Sequence, residues 1–207
     1  MAGRFITIEG GEGAGKSTQA RLLADALRRG GIDVALTREP GGAPGAEVLR
    51  TLLLEGATEW SPLAETLLHF AARAEHVART IRPALAAGTW VVCDRYTDST
   101  MAYQGFGQGA DREAIAMLAR LIGLVPDLTV VLDLSVATGL ARVAGRGRRA
   151  DRYERMGADF LARVHEGFRA IAAAEPGRCV LISAEGGEAE VAAALLAAVR
   201  ARLGVTG

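Results

Sequence analysis

Residues 4–18 read RFITIEGGEGAGKST, and this stretch decides the fold. Residues 4–9 have the apolar character of a short buried strand, and residues 10–18 contain G-x-x-x-x-G-K-S, the pattern of a phosphate-binding loop. From Gln19 onwards, apolar residues recur at helical spacing. The sequence therefore predicts a phosphate loop between a strand and the N-terminus of a helix, where backbone N–H groups and the helix dipole both attract anions.

Two side chains of this loop carry its predicted chemistry. Lys16 would bring a compact positive charge to the outer phosphates of a nucleotide, and the Ser17 hydroxyl would be a ligand for Mg²⁺. Lys16 is the only lysine among 24 basic residues, so a general preference for lysine does not explain its position. Glycine allows a tight turn that aims N–H groups at one point, and the loop has Gly10, Gly11, Gly13 and Gly15.

The composition excludes several classes of protein. A length of 207 residues favours a single domain, 1–207. The formal net charge is zero and half of the residues are hydrophobic, which argues against a general nucleic-acid or membrane binder. Cys93 and Cys179 lie in strand-like runs without metal-site spacing, which suits a reducing cytoplasm. Because the first predicted strand begins almost at residue 1, we expect no signal peptide.

Strand and helix patterns alternate along the chain. Short apolar runs predict buried strands at 5–8, 34–37, 90–93, 128–132 and 179–182. Helical patterns separate them, at about 16–29, 45–54, 61–87, 111–123, 136–144, 157–174 and 187–203. This alternation predicts an α/β fold with a five-stranded parallel sheet flanked by helices, and a ligand site at the carboxyl ends of the strands.

Charged residues follow the second and third predicted strands. Arg38 lies in the TREPGG turn at 37–42, either as a solvated side chain or as a contact for a second anionic ligand. Asp94 and Arg95 open the segment DRYTDST after the third strand. An Asp at the end of a buried strand beside a phosphate loop suits a role toward Mg²⁺, and Arg95 suits a phosphate contact; the alternative is an ion pair that caps the strand.

Two further segments carry candidate residues. His69 and Arg73 are four residues apart and share one face of the predicted helix 61–87, although each alone would be an ordinary packing or surface residue. Six arginines occur within residues 142–155. Such a basic loop could bind nucleic acid, but in a near-neutral chain with a phosphate loop it favours a mobile lid over ATP, at about 145–156.

With these residues placed, the chain resembles the bacterial thymidylate kinases, a family of P-loop nucleoside monophosphate kinases, along nearly its whole length. The resemblance rests on GGEGAGKST, TREPGG, the helix segment ending in AAR, DRYTDSTMAYQG, PDLT and the lid ending DRYE. It implies phosphoryl transfer from ATP to dTMP, giving dTDP and ADP as a step in dTTP synthesis. It also implies Mg²⁺ as cofactor, a cytoplasmic homodimer, and no nucleic-acid or membrane partner.

The same resemblance implies roles for individual residues. ATP would be bound by Gly10, Gly11, Glu12, Gly13, Ala14, Gly15, Lys16, Ser17, Thr18 and Arg146, and Mg²⁺ by Ser17 and Asp94. The dTMP phosphate would meet Arg38 and Arg95, the thymine edge would meet Arg73, Thr100 and Gln104, and the sugar would meet Glu12 and Tyr103. The catalytic residues would be Lys16, Asp94, Arg95, Arg148, Arg149 and Arg152.

One position departs from the family pattern. Members usually have a Phe four residues before the base-binding Arg, stacked on thymine, whereas this chain has His69 there and Phe70 next to it. Either ring could stack on the base. An imidazole buries less apolar area than a phenyl ring and can titrate, so the affinity for thymine could be weaker or dependent on pH.

Two alternatives remain at this stage. The chain could be another P-loop kinase that phosphorylates a different nucleoside monophosphate or a deoxynucleoside. It could instead be a GTPase or ATPase switch, but guanine-specific switches carry N-K-x-D, and Lys16 is the only lysine. A nucleotide sensor without activity would need a defective acceptor site, and every arginine expected there is present.

Overall fold

The computed structural model describes residues 2–55, 58–145 and 152–205. Its centre is a sheet of five parallel strands in the order β2-β3-β1-β4-β5. The strands are β1 (Phe5–Gly10), β2 (Val34–Arg38), β3 (Trp90–Asp94), β4 (Leu128–Asp133) and β5 (Cys179–Ser183). All five predicted strands are confirmed, and each extends one or two residues beyond its predicted end.

Helices flank this sheet and confirm each predicted helical stretch. They are α1 (Lys16–Arg29), α2 (Pro44–Leu54), α3 (Pro62–His76), α4 (Arg82–Ala86), α5 (Thr97–Thr100), α6 (Arg112–Ile122), α7 (Val136–Ala144), α8 (Ala158–Ala174) and α9 (Glu188–Leu203). A π-helical segment, Val77–Ile81, joins α3 to α4, and another, Met101–Gly107, continues α5; a 3₁₀ turn spans Glu154–Met156. The helical segment from 97 to 107 was absent from the sequence prediction.

The two faces of the sheet have separate cores, because successive side chains of a strand point to opposite sides. Ile6 and Ile8 of β1 contribute to the core formed with α1 and α9, where Leu23 and Leu195 are buried. Phe5 lies on the other face, in a cluster that includes Val77 and Ile81 of the π-helical segment after α3. Both faces are therefore covered, as the continuous apolar character of the strands predicts.

The start of α3 is fixed by local sequence. The Ser61 hydroxyl accepts a hydrogen bond from the Ala64 backbone N–H, and Pro62 occupies the first turn, where its missing N–H costs nothing. The buried residues of α3 include His69 and Arg73. Among the described residues, no helix is both long enough and apolar enough to cross a membrane.

Candidate active site

A cavity of about 490 Å³ lies at the carboxyl ends of β1, β2 and β3. The phosphate loop forms one end of its wall, and α3 together with the segment after α5 forms the other. The wall includes most of the residues predicted from the sequence: Glu12, Gly13, Gly15, Lys16, Ser17, Thr18, Arg38, His69, Arg73, Asp94, Arg95, Thr100, Tyr103 and Gln104. Gly10, Gly11, Ala14, Phe70 and Arg152 do not line it, and Arg146, Arg148 and Arg149 lie outside the described residues.

The phosphate loop is closed by its own lysine. Lys16 Nζ donates to the Gly11 carbonyl oxygen at 2.7 Å. Burial, with a smaller contribution from the nearby Arg95 charge, lowers the pKa of Lys16 to about 8. Gly13 has φ +75°, and a Cβ there would lie 2.7 Å from the Cα of Gly139 in α7, so the loop can approach that helix only with glycine at this position.

Ser17 and Asp94 meet beside the loop. The Ser17 hydroxyl donates a hydrogen bond to Asp94 Oδ2, and Asp94 Oδ1 is buried with no hydrogen-bond partner among the described residues. A buried carboxylate oxygen without a partner is costly unless a ligand satisfies it. Hydroxyl and carboxylate oxygens are the donors that Mg²⁺ prefers, so the pair fits that ion.

Arg95 is held in one orientation at the middle of the cavity. Its Nη2 lies 2.6 Å from Glu12 Oε1 and 3.1 Å from the Tyr103 hydroxyl, and its Nη1 donates to the Gly10 carbonyl and to Ser99 Oγ. Its backbone is left-handed, with φ 70°. Contacts on both terminal nitrogens fix the guanidinium in advance of any ligand.

Arg73 lies at the far end of the cavity and is almost fully buried. Its Nε donates to Glu39 Oε2 at 2.7 Å, and its Nη2 donates to the Tyr96 carbonyl and to Thr100 Oγ1. Its Nη1 has no partner among the described residues. The guanidinium carbon lies 4.7 Å from the centre of the Phe70 ring, which places that ring against the arginine and not in the cavity wall.

His69 therefore is the one of the two candidate rings that lines the cavity. Its Nε2 lies 2.9 Å from the Tyr153 hydroxyl. Burial, then the neighbouring Arg73 charge, lowers the pKa of His69 to about 3. A charged imidazole at this position would lose its hydration, so burial favours the neutral form of His69.

Gln104 and Arg152 both contact Glu65, a buried carboxylate behind the cavity wall. Gln104 Nε2 donates to Glu65 Oε1 at 2.8 Å, and Arg152 Nη2 lies 2.8 Å from Glu65 Oε2. Arg152 also donates to the Thr58 carbonyl. The structure thus places this arginine against Glu65, away from the phosphate loop. Arg38, by contrast, is exposed at the cavity rim, 3.2 Å from Glu47 Oε2.

Several residues of the site were not singled out from the sequence. Glu39 and Tyr153 occur in motifs that were recognised, TREPGG and DRYE, but without a role of their own. Glu9 is fully buried, accepts from the Tyr96 N–H and from Ser99 Oγ, and has its pKa raised to about 7, first by burial and then by Asp98. Glu65 had no sequence signal, because a carboxylate on a helix usually faces solvent.

The chain is similar to known proteins over nearly its whole length. A family model described as thymidylate kinase matches residues 8–195. A thymidylate kinase of Rhizorhabdus wittichii is 54% identical over 203 residues, which cover 96% of this chain and 98% of the relative. One of Caulobacter vibrioides is 52% identical over 98% of this chain and 99% of the relative.

A solved structure agrees with these sequence matches. The crystal structure of thymidylate kinase from Ehrlichia chaffeensis superposes with a TM-score of 0.80 at 35% identity, covering 96% of this chain and all of that one. The fold, the order of the motifs along the chain and these full-length matches agree. This chain belongs to the thymidylate kinase family.

Proposed function

We propose that this chain transfers the terminal phosphoryl group of ATP to dTMP, giving dTDP and ADP as a step in dTTP synthesis. One observation carries the proposal: a single cavity runs from the Lys16 phosphate loop to the buried Arg73. In this proposal, two phosphorylated ligands would lie along the cavity end to end, with their phosphates meeting near its middle. Holding both reactants in line replaces much of the entropic cost of a bimolecular reaction.

At the donor end, the loop amides and Lys16 would bind the phosphates of ATP. Ser17 and Asp94 would hold Mg²⁺, which supplies charge neutralisation on the phosphates when it is bound. The described residues contain no cluster of three or more His, Cys, Asp or Glu side chains suited to a metal ion. The nucleotide phosphates would complete the coordination, as is usual for Mg²⁺ in kinase sites.

At the acceptor end, Arg38 and Arg95 would bind the phosphate of dTMP. The contacts with Glu12 and Tyr103 hold the Arg95 guanidinium beside the phosphate loop before the acceptor arrives. The Tyr103 ring would crowd the 2′ position of the sugar and favour deoxyribose. The thymine would then lie beside His69, with its polar edge toward Arg73, Thr100 and Gln104.

The proposed phosphoryl transfer needs no covalent intermediate with the protein and no obligatory general base. The phosphate of dTMP is a nucleophile near neutral pH, so Asp94 would organise the site and not act as an obligatory base. Lys16 and Arg95 would neutralise charge that spreads over the moving phosphoryl group. Closure of the arginine-rich lid, 145–156, would bring Arg146 to the adenine and Arg148 and Arg149 to the phosphates, and would exclude water. Arg152, the third arginine expected at the phosphates, is paired with Glu65 instead.

A homodimer in the cytoplasm completes the proposal. Leucine and methionine side chains are exposed at helical spacing on two neighbouring helices, Leu63 and Leu67 on α3 and Met117 and Leu121 on α6. Leu121 is the most exposed of the four, at 81%, and apolar side chains that form a contiguous exposed patch indicate a protein–protein contact. Light scattering on the purified chain, compared with a Leu121→Glu variant, tests this assembly: a monomeric wild type would overturn it.

The activity is tested by ADP release from ATP and Mg²⁺, with dTMP, dUMP, dCMP, GMP and thymidine offered separately. We expect strong turnover with dTMP, weaker turnover with dUMP and little with the others. Turnover with a different acceptor would retain the phosphoryl transfer but overturn the assignment of the base pocket. Hydrolysis of ATP that does not depend on any acceptor would overturn the kinase function itself.

A further inference from the structure

Glu65 is a fully buried carboxylate that lies behind the cavity wall and does not line the cavity. Its Oε1 accepts hydrogen bonds from Gln104 Nε2 at 2.8 Å, from Gln108 Nε2 at 2.9 Å and from the Tyr153 hydroxyl at 2.8 Å. Its Oε2 lies 2.8 Å from Arg152 Nη2. A buried carboxylate is stable only when such donors surround it, so each group that contacts Glu65 must turn a hydrogen-bond donor toward it.

That direction fixes the side-chain amide of Gln104. A carboxylate can only accept hydrogen bonds, so the nitrogen of the amide must face Glu65. The second hydrogen of the same nitrogen points to the Tyr153 hydroxyl at 3.1 Å. Because Tyr153 donates its own hydrogen to Glu65, its oxygen accepts from Gln104 and from His69, which fixes His69 as the tautomer with hydrogen on Nε2.

The remaining polar atoms are those that a ligand can use. Gln104 lines the cavity, and its Oε1 makes no hydrogen bond among the described residues. Arg73 Nη1 is also without a partner in the described part of the chain. Gln104 Oε1 is therefore an unused hydrogen-bond acceptor and Arg73 Nη1 an unused, buried donor, and Thr100, whose Oγ1 accepts from Arg73 Nη2, lines the same part of the cavity.

We propose that Glu65 is a positioning residue that sets base specificity by holding the Gln104 amide with its oxygen toward the base. The proposal rests on the proposed function. Thymine and uracil present an N3–H donor beside the O4 acceptor, which matches Gln104 Oε1 and Arg73 Nη1. Cytosine presents an acceptor at N3 and an amino donor at C4, so both contacts would be repulsive and both buried groups would lose their partners.

The variant Glu65→Gln tests this role. A glutamine at 65 has the same shape but can donate, so the Gln104 amide can turn and present its nitrogen to the base. We expect the ratio of kcat/KM for dTMP to that for dCMP to fall by about tenfold or more. The reason is that the Gln104 amide would then present a donor to N3 of the base, which repels the N3–H of thymine and matches the N3 acceptor of cytosine. The KM for ATP should not change, since the phosphate loop does not contact Glu65.

The control is Gln108→Ala, which removes another hydrogen bond to Glu65 without touching Gln104. It should keep the wild-type selectivity ratio. If the ratio is unchanged in a Glu65→Gln protein with a normal melting curve, the proposal is overturned, and an equal fall in both variants would overturn it as well. Failure of the wild type to phosphorylate dTMP would instead count against the proposed function.

A measurement on the wild type decides the question if Glu65→Gln does not fold. The base of 5-bromo-dUMP has nearly the size of thymine but a more acidic N3–H. Its KM should rise with pH where the base loses that proton, because the Gln104 oxygen then faces no donor, while the KM for dTMP stays level. Parallel profiles for the two nucleotides would show that no acceptor reads N3 and would overturn the proposal.

Discussion

Arg95 and Glu12 form an ion pair in the middle of the cavity, with Arg95 Nη2 2.6 Å from Glu12 Oε1 and both side chains mostly buried. The Tyr103 hydroxyl donates to the same Glu12 oxygen, also at 2.6 Å. Glu12 belongs to the phosphate loop and Arg95 follows β3, so the pair connects the proposed donor end of the cavity to the proposed acceptor end. A substitution of either residue should therefore act mainly at the place where the phosphates of ATP and dTMP are proposed to meet.

Replacing Arg95 by alanine removes the proposed contact with the acceptor phosphate. We expect kcat/KM for dTMP to fall by about 10²–10³, the usual cost of losing one fixed donor to developing charge. The affinity for ATP should remain close to that of the wild type, since Lys16 and the loop amides are intact. Steady-state kinetics with dTMP and calorimetry with an ATP analogue measure the two effects; an equal loss of both affinities would contradict the placement.

Glu39 supports Arg73 and should affect stability as well as activity. Its two carboxylate oxygens are bonded to Arg73 Nε and to His76 Nδ1, and the carboxylate is 3% exposed. Glu39→Ala would leave a buried guanidinium without its charge partner, which costs about 3–5 kcal/mol of unfolding free energy. Urea denaturation measures the change. Arg79→Ala, which breaks an exposed ion pair with Glu75, is the control and should cost about 0.3–0.5 kcal/mol.

Position 69 should accept the aromatic ring that the family usually carries. In His69→Phe, Tyr153 loses one hydrogen bond but keeps those to Glu65 and Gln104. If residue 69 stacks on the base, a phenyl ring buries more apolar area than imidazole, and the affinity for dTMP should hold or rise. Calorimetric titration with dTMP tests this. A large loss of affinity would mean that the polar contact of His69, and not its ring, supports binding.

The sequence predicted what depends on local pattern. The five strands are apolar runs, and the phosphate loop is a contiguous motif, so both can be recognised without knowing distant neighbours. The helical segment 97–107 was missed because its Ser, Thr and Gly residues have low helix propensity. Its stability comes from tertiary contacts, such as the Tyr103 ring against Phe160 and Phe168 of α8.

The polar groups behind the cavity could not be predicted either, because their contacts join residues that are far apart in the sequence. Glu65 meets Gln104 across 39 residues and Tyr153 across 88, and neither spacing leaves a periodic signal. The orientation of Gln104 depends on both contacts. The sequence could name Arg73 and Gln104 as base-reading residues through the family resemblance, but not the carboxylates, Glu39 and Glu65, that hold them.

The buried His69 should make stability depend on pH. Its pKa is lowered by burial from 6.5 to about 3, so between these values the unfolded chain binds a proton that the folded chain does not. Folding is therefore favoured above pH 6.5, and this contribution falls as the pH falls, by up to about 1.4 kcal/mol per pH unit. Denaturation curves between pH 4 and 7 measure this slope, which should correspond to the uptake of about one proton on unfolding. His69→Phe should show a shallower dependence; an identical slope would contradict the assignment.

Asp94 should control the requirement for Mg²⁺. Asp94→Asn keeps an oxygen that can accept from Ser17 but loses the negative charge beside the unsatisfied Oδ1 position. We expect the Mg²⁺ concentration for half-maximal activity to rise by about 10–100-fold, with a smaller rise for Ser17→Ala. Titration of activity with Mg²⁺ at fixed ATP gives this value, and the affinity for dTMP without metal is the internal control. If Asp94→Asn weakened dTMP binding but left the Mg²⁺ requirement unchanged, the carboxylate would belong to the acceptor site, and the pairing with Ser17 would be only a structural contact.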